Sequence, residues 1–172
     1  MTAPKTLDGM CQAVIDQCGP SAAVPWALMA SLIYYHADTA LLSDTFFDKL
    51  MHLIADKWDS IDGTQKYIIG RDGRNTTSLF DLKIENYPHS TRAAAFVLVN
   101  RSKIPVSMAT RLRILRADFI PPAHCWDSYE YEQGLTYRQW REKHPALASK
   151  LEGSAVVDNS VYQLFLESIL HD

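Results

Sequence analysis

Cysteine is scarce: three residues in a chain of 172, an odd number and too few for a disulfide framework. Cys11 and Cys18 fall on what reads as one helix, where two turns separate them by ~10 Å, beyond the reach of a disulfide. Cys125 has no evident mate, so reduced thiols in a cytoplasmic setting are expected. Positive charge is also short. Seventeen Lys and Arg against twenty Asp and Glu leave a net −3, so no global field holds nucleic acid regardless of its sequence. No stretch approaches the ~18 uninterrupted apolar residues of a membrane span. The opening Met-Thr-Ala-Pro-Lys lacks the charged-then-apolar layout of a signal peptide. Seven glycines and eight prolines are too few for a collagen-like or linker-dominated chain. There is no phosphate-cradling glycine loop and no nucleophile elbow. The histidines at 36, 52, 89, 124, 144 and 171 show no metal-ligand spacing. His124-Cys125 with Asp127 falls short of the four ligands that a structural zinc takes, so no metal is expected. The length itself excludes a nucleotidyltransferase core, a kinase or a doubly wound oxidoreductase.

What is present is the composition of an ordinary folded globule, 47% apolar and 22% charged. The chain reads as a single domain over 1–172, mainly α, a helical bundle. Its parts are N-terminal helices over 1–60, a connector over 61–87 and a helical C-terminal part over 88–172. Residues 7–17 carry Leu7, Met10, Cys11, Val14 and Ile15 on one face, and Gly19-Pro20-Ser21 breaks that helix. A second helix starts near Pro25, with Trp26, Met29, Leu32 and Ile33 as its stripe, and ends near Ala37. Ser43 reads as an N-cap with Asp44 in the first turn. The third helix then runs from about Thr45 to Lys57, its stripe being Phe47, Leu50, Met51, Ile54 and Trp58. Between 62 and 87 the periodicity fades. Tyr67-Ile68-Ile69 and Leu79 to Ile84 read as irregular chain or as a two-stranded piece. Asn75-Thr76-Thr77 matches a glycosylation acceptor that a cytoplasmic chain leaves silent. Further helices are expected from a cap at Ser90 or Thr91 to Asn100, from Val106 to Ala117, from Tyr137 to His144 and from Val156 to Leu170.

The segment Tyr34-Tyr35-His36-Ala37-Asp38-Thr39-Ala40-Leu41-Leu42-Ser43-Asp44-Thr45-Phe46-Phe47-Asp48-Lys49-Leu50 concentrates the chemistry. Two aromatics end one helix. Two carboxylates four apart share a face at the start of the next. A short loop folds the helices into an antiparallel pair, which makes an acidic, aromatic corner. Tyrosine faces attract a cationic ring, and carboxylates accept from a ribose diol or an amide NH₂. Amines and metal ions satisfy the same description.

This pattern resembles the N-terminal helical subdomain of bacterial NAD⁺-dependent DNA ligases, which clamps the nicotinamide mononucleotide (NMN) half of NAD⁺. The resemblance covers about residues 24–60. It implies Tyr34, Tyr35, Asp44, Phe47 and Asp48 as ligand contacts, with Asp38 at an acidic loop position, and NAD or NMN as the ligand. Phe47 stands where the family usually has tyrosine, and Ala40 where it has proline. The adenylated lysine of the family's Lys-x-Asp-Gly is replaced: Gly70-Arg71-Asp72-Gly73 has glycine there. The chain more closely resembles short phage and prophage proteins described as ligase-related. The continuation Lys66-Tyr67-Ile68, Ser78-Leu79-Phe80-Asp81-Leu82 and Tyr87-Pro88 is similar to that group too. A non-ligating protein is therefore expected, in the host cytoplasm if phage-encoded, that binds NAD or NMN or docks a partner.

A second cluster is basic. Arg92, Arg101, Lys103, Arg111, Arg113 and Arg116 crowd a helix, turn, helix layout over 90–116. The alternatives to nucleotide binding are thus a nucleic-acid-binding module that uses this hairpin, or an adaptor or inhibitor of a host protein.

Overall fold

The computed structural model describes residues 6–62, 65–70, 79–120 and 122, with 139, 142, 143, 145 and 146. Among these residues the fold is all-α, with no strand. Helix α1 (Asp8–Cys18) leads through a 3-10 turn at Pro20–Ala22 into α2 (Ala23–Ala37). Then come α3 (Asp44–Asp56), a turn at Trp58–Ser60, α4 (Lys66–Ile69), a turn at Ile84–Asn86, α5 (His89–Arg101) and α6 (Met108–Arg116). No helix is long and apolar enough to cross a membrane among the described residues.

Helix α2 is the axis of the bundle. Its sequence is apolar almost all round rather than along one stripe, and a helix of that kind is stable only when covered on every side. It packs against α1, α3, α4, α5 and α6. Leu28, Leu32 and Ile33 are fully buried, each worth ~2 kcal/mol of transfer free energy. Around it, α5 presents Ala95, Phe96 and Val99 and α3 presents Leu50, Met51 and Ile54. Polar exposure begins only at the C-terminal end of α2, at Tyr34.

The sequence-based boundaries need three corrections. First, 62–87 holds no strand among its described residues: Tyr67-Ile68-Ile69 lie in α4, with Ile68 and Ile69 buried. Three apolar residues are too few to separate period 2 from period 3.6. Gly70, at φ 118°, stops the helix after one turn. Second, α5 begins at His89, before either expected cap, with Pro88 in the N-cap position. Thr91 and Arg92 are buried in its first turn. Third, α6 starts at Met108 because Ser107 caps it, accepting from the Thr110 amide at 3.2 Å. Of the helix expected over 137–144, Gln139, Glu142 and Lys143 are helical. The expected helix 156–170 and the Asn75-Thr76-Thr77 acceptor lie outside the described residues.

Candidate functional site

The antiparallel pair α2–α3 encloses a cavity of about 160 Å³. From α2 it is lined by Ala30, Ser31, Tyr34 and Tyr35, and from α3 by Asp44, Phe47 and Asp48. Ala40, Leu41 and Leu42 of the connecting loop close it. Both helices contribute positions at i, i+3 and i+4, the spacing that stacks side chains on one helical face. The volume is close to the ~150 Å³ cavity that accommodates one benzene ring, so this is a slot for a single ring.

Its aromatic wall is ordered. Tyr34 and Tyr35 meet edge to face with centroids 5.1 Å apart, and Phe80 meets Tyr35 in the same way at 5.5 Å. Tyr34 is half exposed and Phe80 largely exposed, so ring surface remains open beside the slot. Asp44 and Asp48 are exposed, one turn apart on α3. Asp48 also borders an open crevice along the outer side of α3, shared with Thr45, Lys49, His52, Leu53 and Asp56. There the His52 ring donates through Nδ1 to the Asp48 carbonyl at 2.7 Å.

Two networks behind the wall fix its shape. Ser43, the N-cap of α3, accepts from the Phe46 amide at 3.3 Å. Asp8 of α1 grips the same residue, taking the Ser43 amide at 2.9 Å and the Ser43 hydroxyl at 2.6 Å. The Leu7 amide donates to the Leu41 carbonyl at 2.8 Å, so α1 holds the loop that closes the cavity. On the α2 side, the Ser31 hydroxyl donates to the Leu28 carbonyl, and Tyr87 lies 3.1 Å from the same oxygen. Ser31 has one proton and has placed it, so Tyr87 donates to Ser31. Burial pushes the Tyr87 phenol above its ordinary range and keeps it a donor.

Five of the six candidate nucleotide contacts, Tyr34, Tyr35, Asp44, Phe47 and Asp48, are therefore brought to one cavity. Asp38 is not among its lining residues. It occupies the left-handed C-cap of α2 at φ 51°, a place that Asp tolerates better than most side chains. His36 also lies off the cavity, with Nε2–H donating to the Leu82 carbonyl at 2.9 Å and its ring edge-on to Tyr87. Ser31 carried a readable signal, since it shares the face of Tyr34 and Tyr35. Asp8 carried none, because its contact spans 35 positions of sequence.

One of the six residues of the basic hairpin does not reach the surface. Arg92 is fully buried and cannot reach a phosphate. It donates from Nε to the Tyr87 carbonyl at 2.9 Å and from Nη1 to the Ile114 carbonyl at 2.9 Å and to the Ala117 carbonyl. Burial lowers its pKa, while Glu85 and Asp118 pull it back up. Through Nη1 the guanidinium faces the C-terminal end of α6, whose partial negative charge favours a cation. Arg111 is partly covered and stacks on Phe96 at 5.2 Å. Arg113 donates to the His36 carbonyl at 2.9 Å, at the end of α2. Arg101, Lys103, Arg113 and Arg116 are exposed, the first two at the α5–α6 turn and the last two on α6.

Among the described residues no group of three His, Cys, Asp or Glu is placed to hold a metal ion. Comparison with protein-family models, with curated proteins and with solved structures gives no match to this chain.

Proposed function

We propose that the chain binds the nicotinamide mononucleotide moiety, as NMN or as NAD⁺, in the α2–α3 cavity, and that it does so without ligating nucleic acid. The observation that carries this reading is the convergence of Tyr34, Tyr35, Asp44, Phe47 and Asp48 on one slot of about 160 Å³. These are the positions at which the sequence resembles the NMN clamp of NAD⁺-dependent DNA ligases. A slot that size takes the pyridinium ring alone. The tyrosine faces attract its charge. The ribose then leaves past Asp48, whose carboxylate accepts from its hydroxyls, and the phosphate lies outside. Phe47 supplies the ring but not the hydroxyl of a tyrosine, which removes ~0.5–1.5 kcal/mol if that bond would otherwise form. Weak binding is expected.

Where the ligase family has its adenylated lysine, Gly70 adopts φ 118°, a backbone conformation that a lysine takes only under strain. This supports the non-ligating part of the reading.

Calorimetric titration of the full chain with NMN and with NAD⁺ tests the proposal. Saturable heat at millimolar ligand or below is expected. Asp48→Ala should weaken it several-fold without unfolding the chain, while Asp38→Ala, outside the cavity, should leave it unchanged. No heat with either nucleotide overturns the reading.

A further inference from the structure

The polar groups on this cavity are unequal in kind. Asp44 and Asp48 bring two carboxylates, and no Lys, Arg or His is among its described lining residues. Ser31 adds to the imbalance. Its proton is fixed on the Leu28 carbonyl and its oxygen already accepts from Tyr87, so any capacity it has left is acceptor capacity. The side-chain donors that remain are the two phenols, Tyr34 and Tyr35. A slot built this way attracts positive charge and N–H donors. It disfavours a negative group of the same shape, because no cationic side chain on the lining compensates one and the two carboxylates outweigh the partial positive charge at the start of α3.

We propose that the site reads the charge and the amide of its ring: it accepts an oxidised pyridinium bearing a carboxamide and rejects the carboxylate and the reduced counterparts. This rests on the nicotinamide-nucleotide reading above and goes further, because it names the chemical class within it. The carboxamide NH₂ gives the acceptor-rich lining two donors. Exchanging it for a carboxylate removes both and sets a third negative charge beside Asp44 and Asp48. Reducing the ring keeps the amide but abolishes the cation that Tyr34 and Tyr35 attract. Specificity of this kind comes more from repelling the wrong ligand than from added contact with the right one.

The test is a parallel titration of the full chain with NMN, nicotinic acid mononucleotide and reduced NMN, which share the ribose phosphate. NMN should bind at least tenfold more tightly than either of the others. The doubly substituted Asp44→Asn, Asp48→Asn chain keeps the shape of the site and loses its charge. In it the gap between NMN and the nicotinic acid nucleotide should close to within about threefold, with folding monitored by circular dichroism. Equal binding of the three nucleotides by the unsubstituted chain overturns the inference and leaves the nucleotide reading standing. So does a gap that survives the double substitution, since the carboxylates would then not be its source. Binding of none of the three overturns both.

Discussion

Arg92 sits in the first turn of α5 with its Nε and Nη1 held by main-chain oxygen, Tyr87 from before the helix and Ile114 and Ala117 from the end of α6, while Nη2 is buried with no hydrogen-bond partner. Composition and spacing put it in a basic surface, and only burial reveals it as a tie between two helices. Arg92→Met keeps apolar bulk but orphans three carbonyls at ~1–3 kcal/mol each. Removing a desolvated cation works in the opposite direction. The orphaned carbonyls outweigh it, and a net loss of ~2–4 kcal/mol is expected in urea denaturation. A variant as stable as the parent would show that the tie contributes nothing. Cys11 gives a second outcome at this scale. Burial, with Asp8 adding to it, lifts its thiol from 9.0 to about 12. Between pH 9 and 12 the unfolded chain gives up this proton while the folded chain keeps it, so stability falls as pH rises through that window. Cys11→Ala should flatten the decline. Equal slopes for the two chains would remove Cys11 as its source. In native-state alkylation the exposed Cys18 should react and Cys11 should not.

Among the elements, α1 is the brace of the site. Its contribution is the hold that Asp8 keeps on the cap of α3, and Leu7 on the loop between α2 and α3. Asp8→Ala removes two hydrogen bonds to a carboxylate, and a loss of ~1.5–3 kcal/mol is expected. Amide exchange in the first turn of α3, at Phe46 and Phe47, should quicken more than exchange in α5. Uniform quickening would instead mark Asp8 as a general stabiliser. The same contact shows where sequence reading runs out. Helices α1, α2 and α3 were legible to within about two residues, because each announces itself by a local pattern: a stripe, a proline in the first turn, a serine cap. So was the face that carries Tyr34 and Tyr35 against that of Asp44 and Asp48, since a short loop between two amphipathic faces leaves few ways to pack them. The Asp8–Ser43 pair and the burial of Arg92 are tertiary facts with no period to betray them. Helix α4 escaped for the opposite reason: one turn is too short to have a period at all.

At the scale of the whole molecule, the apolar α2 runs through the bundle and ends in the polar corner, so the part that stabilises the fold also brings Tyr34 and Tyr35 to the cavity. Of the cations exposed on α5–α6, Arg101 and Lys103 lie at the turn and Arg113 and Arg116 on α6, with Arg113 bonded to the His36 carbonyl at the end of α2. The proposed nucleotide binding involves the α2–α3 side alone. Chemical-shift mapping of the uniformly labelled chain during titration with NMN tests this most directly. The amides of Ala30 to Tyr35 and Ala40 to Asp48 should move together and saturate, while those of Arg101 to Arg116 stay in place. Shifts confined to α5–α6, or none anywhere at millimolar NMN, would contradict it.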